Sequence, residues 1–101
     1  LDPNYNVIIH DATKLSFLDI IKNETFDVII DDGSHYLHEQ IQTFHLLKNK
    51  VNKNGIYIIE DIKDIDYSRR YFEDSLHHNC EILDLRHVKK RKDDVLVIYK
   101  F

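Results

Sequence analysis

The sequence holds one cysteine, one proline, two glycines and no methionine or tryptophan in 101 residues. Cys80 has no partner for an internal disulfide and falls a ligand short of any two-thiolate metal motif, which points to a reducing, cytoplasmic setting. A primary translation product starts with methionine, so this chain is expected to be a trimmed, processed or interior piece of a longer protein. No apolar run approaches the ~20 residues of a membrane span. No basic leader precedes the first apolar stretch either, which Asp2, Asn4 and Asn6 interrupt. Positive charge is also short, with 14 Lys+Arg against 18 Asp+Glu, so neither nucleic acid nor membrane is an expected partner. What remains is 43% apolar and 32% charged, enough for one soluble domain with a core and too apolar for intrinsic disorder.

The apolar residues are grouped in short runs. Val7–His10 and Phe26–Asp31 are β-branched runs that end in polar residues and read as strands. Between them Leu15, Phe17, Leu18 and Ile21 have helical spacing, with Ser16 or Thr13 as the cap, as do Leu37, Ile41, Phe44, Leu47 and Val51 farther on. Asn52-Lys53-Asn54-Gly55 is expected to stop that second helix, the glycine supplying a positive φ, before a strand over Ile56–Ile59. A weaker helix over Tyr67–His78 precedes strands over Cys80–Val88 and Val95–Phe101. Their link is too short for a crossover helix, so these two strands must be antiparallel. The string βαβαβαββ predicts an α/β fold: a Rossmann-like, mostly parallel sheet with helices on both faces and a C-terminal antiparallel hairpin. Tyr36, Phe44, Tyr57 and Tyr71 are expected to pack, and Lys89–Lys92 to form a solvated hairpin tip.

Ligands of open α/β sheets bind beyond the carboxyl ends of the strands, and that is where this sequence gathers acids. Asp11 follows the first strand, Asp31 and Asp32 end the second, and Glu60 and Asp61 follow the third. Parallel neighbours lie about 5 Å apart, which would bring Asp32 near Glu60 and Asp61. Three such carboxylates repel one another unless a cation sits among them, and oxygen ligands suit magnesium, calcium or manganese rather than zinc. The plainer alternative is that Asp32 or Ser34 caps the following helix. His35, beside them, is placed either to accept a proton at neutral pH or to serve as a cap or surface group. His35-Tyr36-Leu37-His38-Glu39 does not have the spacing of a zinc hydrolase helix.

Phe26–His35 (FDVIIDDGSH), the helix through His38-Glu39-Gln40-Ile41, and Asn54–Asp61 (NGIYIIED) together resemble the class I S-adenosylmethionine-dependent methyltransferases. The likeness is to the branch with macrolide-sugar O-methyltransferases and cephalosporin hydroxylase-like proteins, and it runs from about Asn6 to Phe101. It implies a magnesium ion, or another hard divalent cation, on Asp32, Glu60 and Asp61, with His35 as general base on a hydroxyl of the acceptor. It also implies that the Asp11 carboxylate and the Ala12 backbone contact the adenine of S-adenosylmethionine. The family's glycine-rich cofactor loop has no counterpart among two glycines, Gly33 and Gly55. The ribose-binding acid has only Asp2 as a candidate, with too few residues after it for the usual helix. The chain therefore resembles the C-terminal part of such a domain. In the family's strand order 3-2-1-4-5-7-6, loss of strands 1 and 2 would bare an apolar edge at Phe26–Asp31 and invite self-association.

Two functions are expected from these residues. One is a metal-assisted O-methyltransferase acting on a hydroxylated small molecule such as a sugar or glycosylated metabolite. The other is a truncated Rossmann-like module that binds a partner and has no catalysis of its own. An iron hydroxylase is disfavoured, because no two-histidine facial triad is present.

Overall fold

The computed structural model describes residues 16–76 and 80–101. The expected strand Val7–His10, the residues Asp11 and Ala12, and the pair His77-His78 lie outside that description. A short helix, α1 (Ser16–Ile21), leads to β1 (Phe26–Asp31) and then to α2 (Leu37–Leu47). A 3-10 turn at Lys48–Lys50 joins α2 to β2 (Val51–Ile59). α3 (Ile65–Ser75), β3 (Cys80–Asp84), a single-turn helix α4 (Arg86–Lys89) and β4 (Val95–Lys100) complete the chain.

The strands form one sheet in the order β1-β2-β4-β3. β1 and β2 are parallel, as two apolar runs separated by a crossover helix require. β4 is antiparallel to both β2 and β3. The architecture is thus α/β with an antiparallel close, and its order is that of strands 4-5-7-6 in the fold the sequence resembles.

Alternation along the strands divides the sheet into two faces. Tyr57 and Ile59 of β2 and Val95 and Val97 of β4 are fully buried under Phe44 and Leu47 of α2 and Ile65 and Phe72 of α3. Phe44 meets Tyr57 edge to face with ring centroids 5.0 Å apart, a favoured aromatic geometry. The other face carries Val28, Ile30, Ile56, Ile58, Leu96 and Ile98, placed side by side by the strand register. There Val28 and Ile30, on β1 at the edge of the described strands, are 49% and 57% exposed.

Several boundaries differ from those expected. Residues Asn52 to Gly55 do not separate helix from strand but form an irregularity inside β2, which already begins at Val51. The left-handed residue is Asn54 (φ 68°), and Gly55 has no positive φ. Gly55 is required for another reason: a Cβ there would lie 2.6 Å from the Asp27 carbonyl oxygen and 2.9 Å from that of Asn52. α3 begins at Ile65, earlier than expected, because the Asp64 carboxylate accepts from Tyr67 N at 3.3 Å and caps the helix. β3 stops at Asp84 because its carboxylate takes the backbone N–H of Arg86 at 3.1 Å and the guanidinium at 2.7 and 2.9 Å, which turns the chain into α4. Lys89, Lys90, Arg91 and Lys92 are exposed, as a solvated tip should be. Phe44 and Tyr57 pack as expected, whereas Tyr36 and Tyr71 are exposed because they point away from the core face of their helices.

Gly55→Ala forces its new methyl group against two backbone carbonyls that cannot rotate away. The substitution is expected to destabilise the chain by about 1–3 kcal/mol, the usual cost of overpacking, read as a lower urea midpoint.

Candidate metal centre

The parallel register pairs Asp31 with Ile59, so the two strands end level. Glu60 N then donates to the Asp31 carbonyl at 2.9 Å, extending the pairing one step into the loops. On the far side of the turn Ile62 N donates to the Val95 carbonyl at 3.3 Å, and the Ile62 side chain is buried. Asp61 is held between these two anchors with φ 58°, a left-handed conformation that aspartate tolerates better than most residues. In an extended strand, consecutive side chains would point to opposite faces. The turn breaks that alternation, and Glu60 and Asp61 both come to Asp32 with carboxylate oxygens of all three within 4.8 Å of one another.

A second turn places Asp32. The Asp31 carboxylate accepts from Gly33 N at 3.0 Å, folding the chain around Asp32. Ser34 Oγ accepts from Tyr36 N at 3.1 Å and donates to the Glu39 carboxylate. Ser34 therefore serves the start of α2, whereas Asp32 is turned toward Glu60 and Asp61.

Electrostatics follow from this crowding. Burial, then the charges of Asp32 and Asp61, raise the Glu60 carboxyl above its ordinary range. Burial, hydrogen bonding to Asp32 and the charges of Asp32 and Asp93 raise Asp61, and the nearby His35 opposes them. A group of half-buried and exposed acids that resist ionisation together is stabilised by a proton or by a cation. Three oxygen ligands without sulfur or imidazole are the donor set of a hard divalent ion.

His35 is exposed and close enough for its charge to act on Asp61. Asp11 and Ala12 lie outside the described residues. Cys80 is half-buried, and burial pushes its thiol up, as expected of an unreactive cysteine. The turn-forming role of Asp31 and the contribution of Asp93 escaped the sequence reading. Asp31 acts through its turn at Gly33, and Asp93 reaches Asp61 because β4 neighbours β2, a pairing that local patterns do not encode.

No protein-family model matches the chain. Demethylmacrocin O-methyltransferase of Streptomyces fradiae is 50% identical over 38 residues, which are 37% of this chain and 9% of that protein. The solved MycE methyltransferase from the mycinamycin biosynthetic pathway, in complex with Mg and SAH, superposes with a TM-score of 0.60 at 24% identity, over 92% of this chain and 31% of that one. The same enzyme with Mg, SAH and mycinamycin VI gives the same values. This chain thus has the fold of part of that methyltransferase and spans 31% of its length. It resembles the class I S-adenosylmethionine-dependent methyltransferases, in the branch of the macrolide O-methyltransferases. Among the described residues no helix is long and apolar enough to cross a membrane.

Glu60 protonates at a higher pH when folded than when unfolded, so the metal-free chain loses stability as pH rises through the carboxylate range and past the raised value. Glu60→Gln removes that loss. In EDTA the variant should melt above the wild type at pH 7, with the difference vanishing near pH 4; coincident melts at pH 7 would show that the acids do not repel.

Proposed function

We propose that this chain is the C-terminal part of an S-adenosylmethionine-dependent, metal-assisted O-methyltransferase domain. Its acceptor would be a hydroxylated small molecule such as a sugar or glycosylated metabolite. The observation that carries the reading is the convergence of Asp32, Glu60 and Asp61, with oxygens within 4.8 Å, at the carboxyl ends of parallel strands. The 38-residue likeness to demethylmacrocin O-methyltransferase and the fold shared with MycE, solved with Mg and SAH, support it.

Under this reading Asp32, Glu60 and Asp61 would hold a magnesium ion, which would supply positive charge that lowers the pKa of the acceptor hydroxyl. His35, exposed beside Asp61, takes the hydroxyl proton. S-adenosylmethionine, when bound, would supply the sulfonium methyl group, its carbon–sulfur bond breaking as the carbon–oxygen bond forms and S-adenosylhomocysteine leaving, with positioning supplying much of the rate. Asp11 would accept a hydrogen bond from the adenine amino group of the cofactor, with the Ala12 backbone beside the ring. The reduced Cys80 thiol suits a cytoplasmic enzyme.

In the parent methyltransferase, His35→Ala should lower turnover by ~10²–10⁴, the usual contribution of a general base, and leave magnesium affinity intact. Asp32→Asn should instead weaken magnesium binding, read by calorimetry. Full turnover in the first variant would make His35 a surface residue, and unchanged magnesium affinity in the second would remove the metal site.

The exposed Val28 and Ile30 on the edge strand β1 favour a second reading, a non-catalytic module that completes its sheet with another chain or a second copy of itself. Cofactor binding separates the two. The 101-residue chain is expected to bind S-adenosylmethionine weakly or not at all, because contacts from half a site must still offset the full entropic cost of association. It should also self-associate in light scattering. A monomer with micromolar cofactor affinity would contradict both expectations.

A further inference from the structure

The most concentrated positive charge in the chain lies outside the carboxylate site. The run from Arg86 to Lys92 contains Arg86, Lys89, Lys90, Arg91 and Lys92, together with His87 and no acid, in a chain whose net charge is −4. Like charges this close repel, and a surface kept for solubility intersperses the two signs. The fold does not relieve the repulsion. Among the described residues Arg86 alone in this run has ion pairs, with Asp84 at 2.7 Å and Asp66 at 3.5 Å. Lys89, Lys90, Arg91 and Lys92 are exposed and have none there, and the charge of Asp93, the next acid along the chain, acts on Asp61.

These cations surround an open cavity of about 510 Å³, lined by Asp84, Arg86, His87, Lys90, Arg91 and Lys92. The Asp84 carboxylate in that wall is matched by the Arg86 guanidinium, from which it accepts at 2.7 and 2.9 Å. The net charge of the wall therefore rests on Lys90, Arg91 and Lys92. The loop is closed at its base, where Leu85 N donates to the Asp94 carbonyl at 2.8 Å and Asp94 N to the Arg91 carbonyl at 3.3 Å. Lys90 turns the chain with φ 55°, a conformation that glycine or asparagine adopts more readily than lysine. A lysine thus stands where the backbone by itself favours a smaller residue.

The cavity and the carboxylate trio share one edge of the sheet. β4 runs antiparallel to β2, so the loop that enters β4 lies at the carboxyl end of β2. The Val95 carbonyl accepts from Ile62 N, next to Asp61, and Lys92 precedes Val95 by so little chain that even fully extended it lies within about 11 Å. Cations so placed oppose the binding of a metal ion on the trio, so they do not serve the ion. They suit an anion held beside it. Three permanent charges exceed what one carboxylate needs and match a phosphate group, which the arginine fork can also grip with two parallel hydrogen bonds.

We propose that this cavity takes a phosphate group carried by the acceptor, which makes the acceptor a phosphorylated sugar rather than a neutral one. The inference rests on the O-methyltransferase reading and narrows its substrate class. Lys90, Arg91 and Lys92 are then residues for acceptor binding, separate from the acids that hold the ion.

The test follows glucose 1-phosphate by phosphorus NMR as the 101-residue chain is added in EDTA at physiological ionic strength, with inorganic phosphate and methyl β-D-glucopyranoside as competitors. Glucose 1-phosphate should bind, inorganic phosphate should compete more weakly, and the neutral glucoside should not displace it at equal concentration. Lys90→Asn keeps the left-handed turn and Arg91→Gln keeps a long polar side chain. Each should weaken glucose 1-phosphate binding by about three- to tenfold, the loss of one charge-assisted contact at an exposed site. Lys53→Gln, exposed on β2 at its other end, should change it by less than about twofold. All three variants should melt with the wild type, and the first two should titrate magnesium at least as tightly. Unchanged affinity in Lys90→Asn and Arg91→Gln, an equal loss in Lys53→Gln, or equal affinity for inorganic phosphate would overturn the assignment. Tighter binding of single-stranded RNA or phosphatidylglycerol vesicles than of glucose 1-phosphate, lost in the same variants, would overturn it in favour of a macromolecular partner. Magnesium binding without glucose 1-phosphate binding would overturn this inference alone, whereas a chain that takes up no magnesium would overturn the methyltransferase reading beneath it.

Discussion

The site depends on the parallel pairing of β1 with β2. Their register brings Asp31 level with Ile59, and the next residue on each strand is then an acid at the same edge of the sheet. Had the strands paired one residue out of step, every side chain of one of them would change face and the two loops would separate. The register is set at the opposite end of the strands by the irregularity at Asn52 to Gly55. There the Asn52 amide donates to the Asp27 carboxylate at 3.0 Å and Gly55 lets the two backbones close up. Chemistry at one end of the sheet is thus positioned by a glycine at the other.

The interior and the site make opposite uses of the same strands. On one face alternate residues of β2 and β4 enter a core shared with α2 and α3, and the helices are fixed in place by it. Those helices start at the carboxyl ends of the strands, where Ser34 and Asp64 turn the chain. Their first turns flank the acids. The acids oppose folding through mutual repulsion and burial, so their persistence at one edge has to be accounted for by something other than stability.

Much of this was legible in the sequence. Continuous apolar runs named the strands, and the short Lys-rich link required an antiparallel close. Acids at strand ends indicated which residues would meet once β1 and β2 were taken as neighbours. What escaped depended on atoms distant in sequence. Gly55 reads locally as a helix stop, and only the approach of the Asp27 carbonyl shows why no side chain fits. Tyr36 and Tyr71 read as packing residues because aromatic character does not reveal which side of a helix faces the core. Gln40 is the converse, a polar residue at a position whose spacing from Leu37 and Phe44 turns it inward. The likeness to methyltransferases supplied roles for the acids that periodicity alone does not provide.

The left-handed turn at Asp61 narrows what evolution can place there. Asparagine or glycine would keep the backbone and surrender the charge, whereas glutamate would keep the charge and resist the backbone. Among the twenty residues aspartate alone meets both demands comfortably. Drift at this position is therefore stepwise in its consequences: a neutral replacement leaves a folded protein with an altered ligand set, and most other replacements disturb the loop before chemistry is in question.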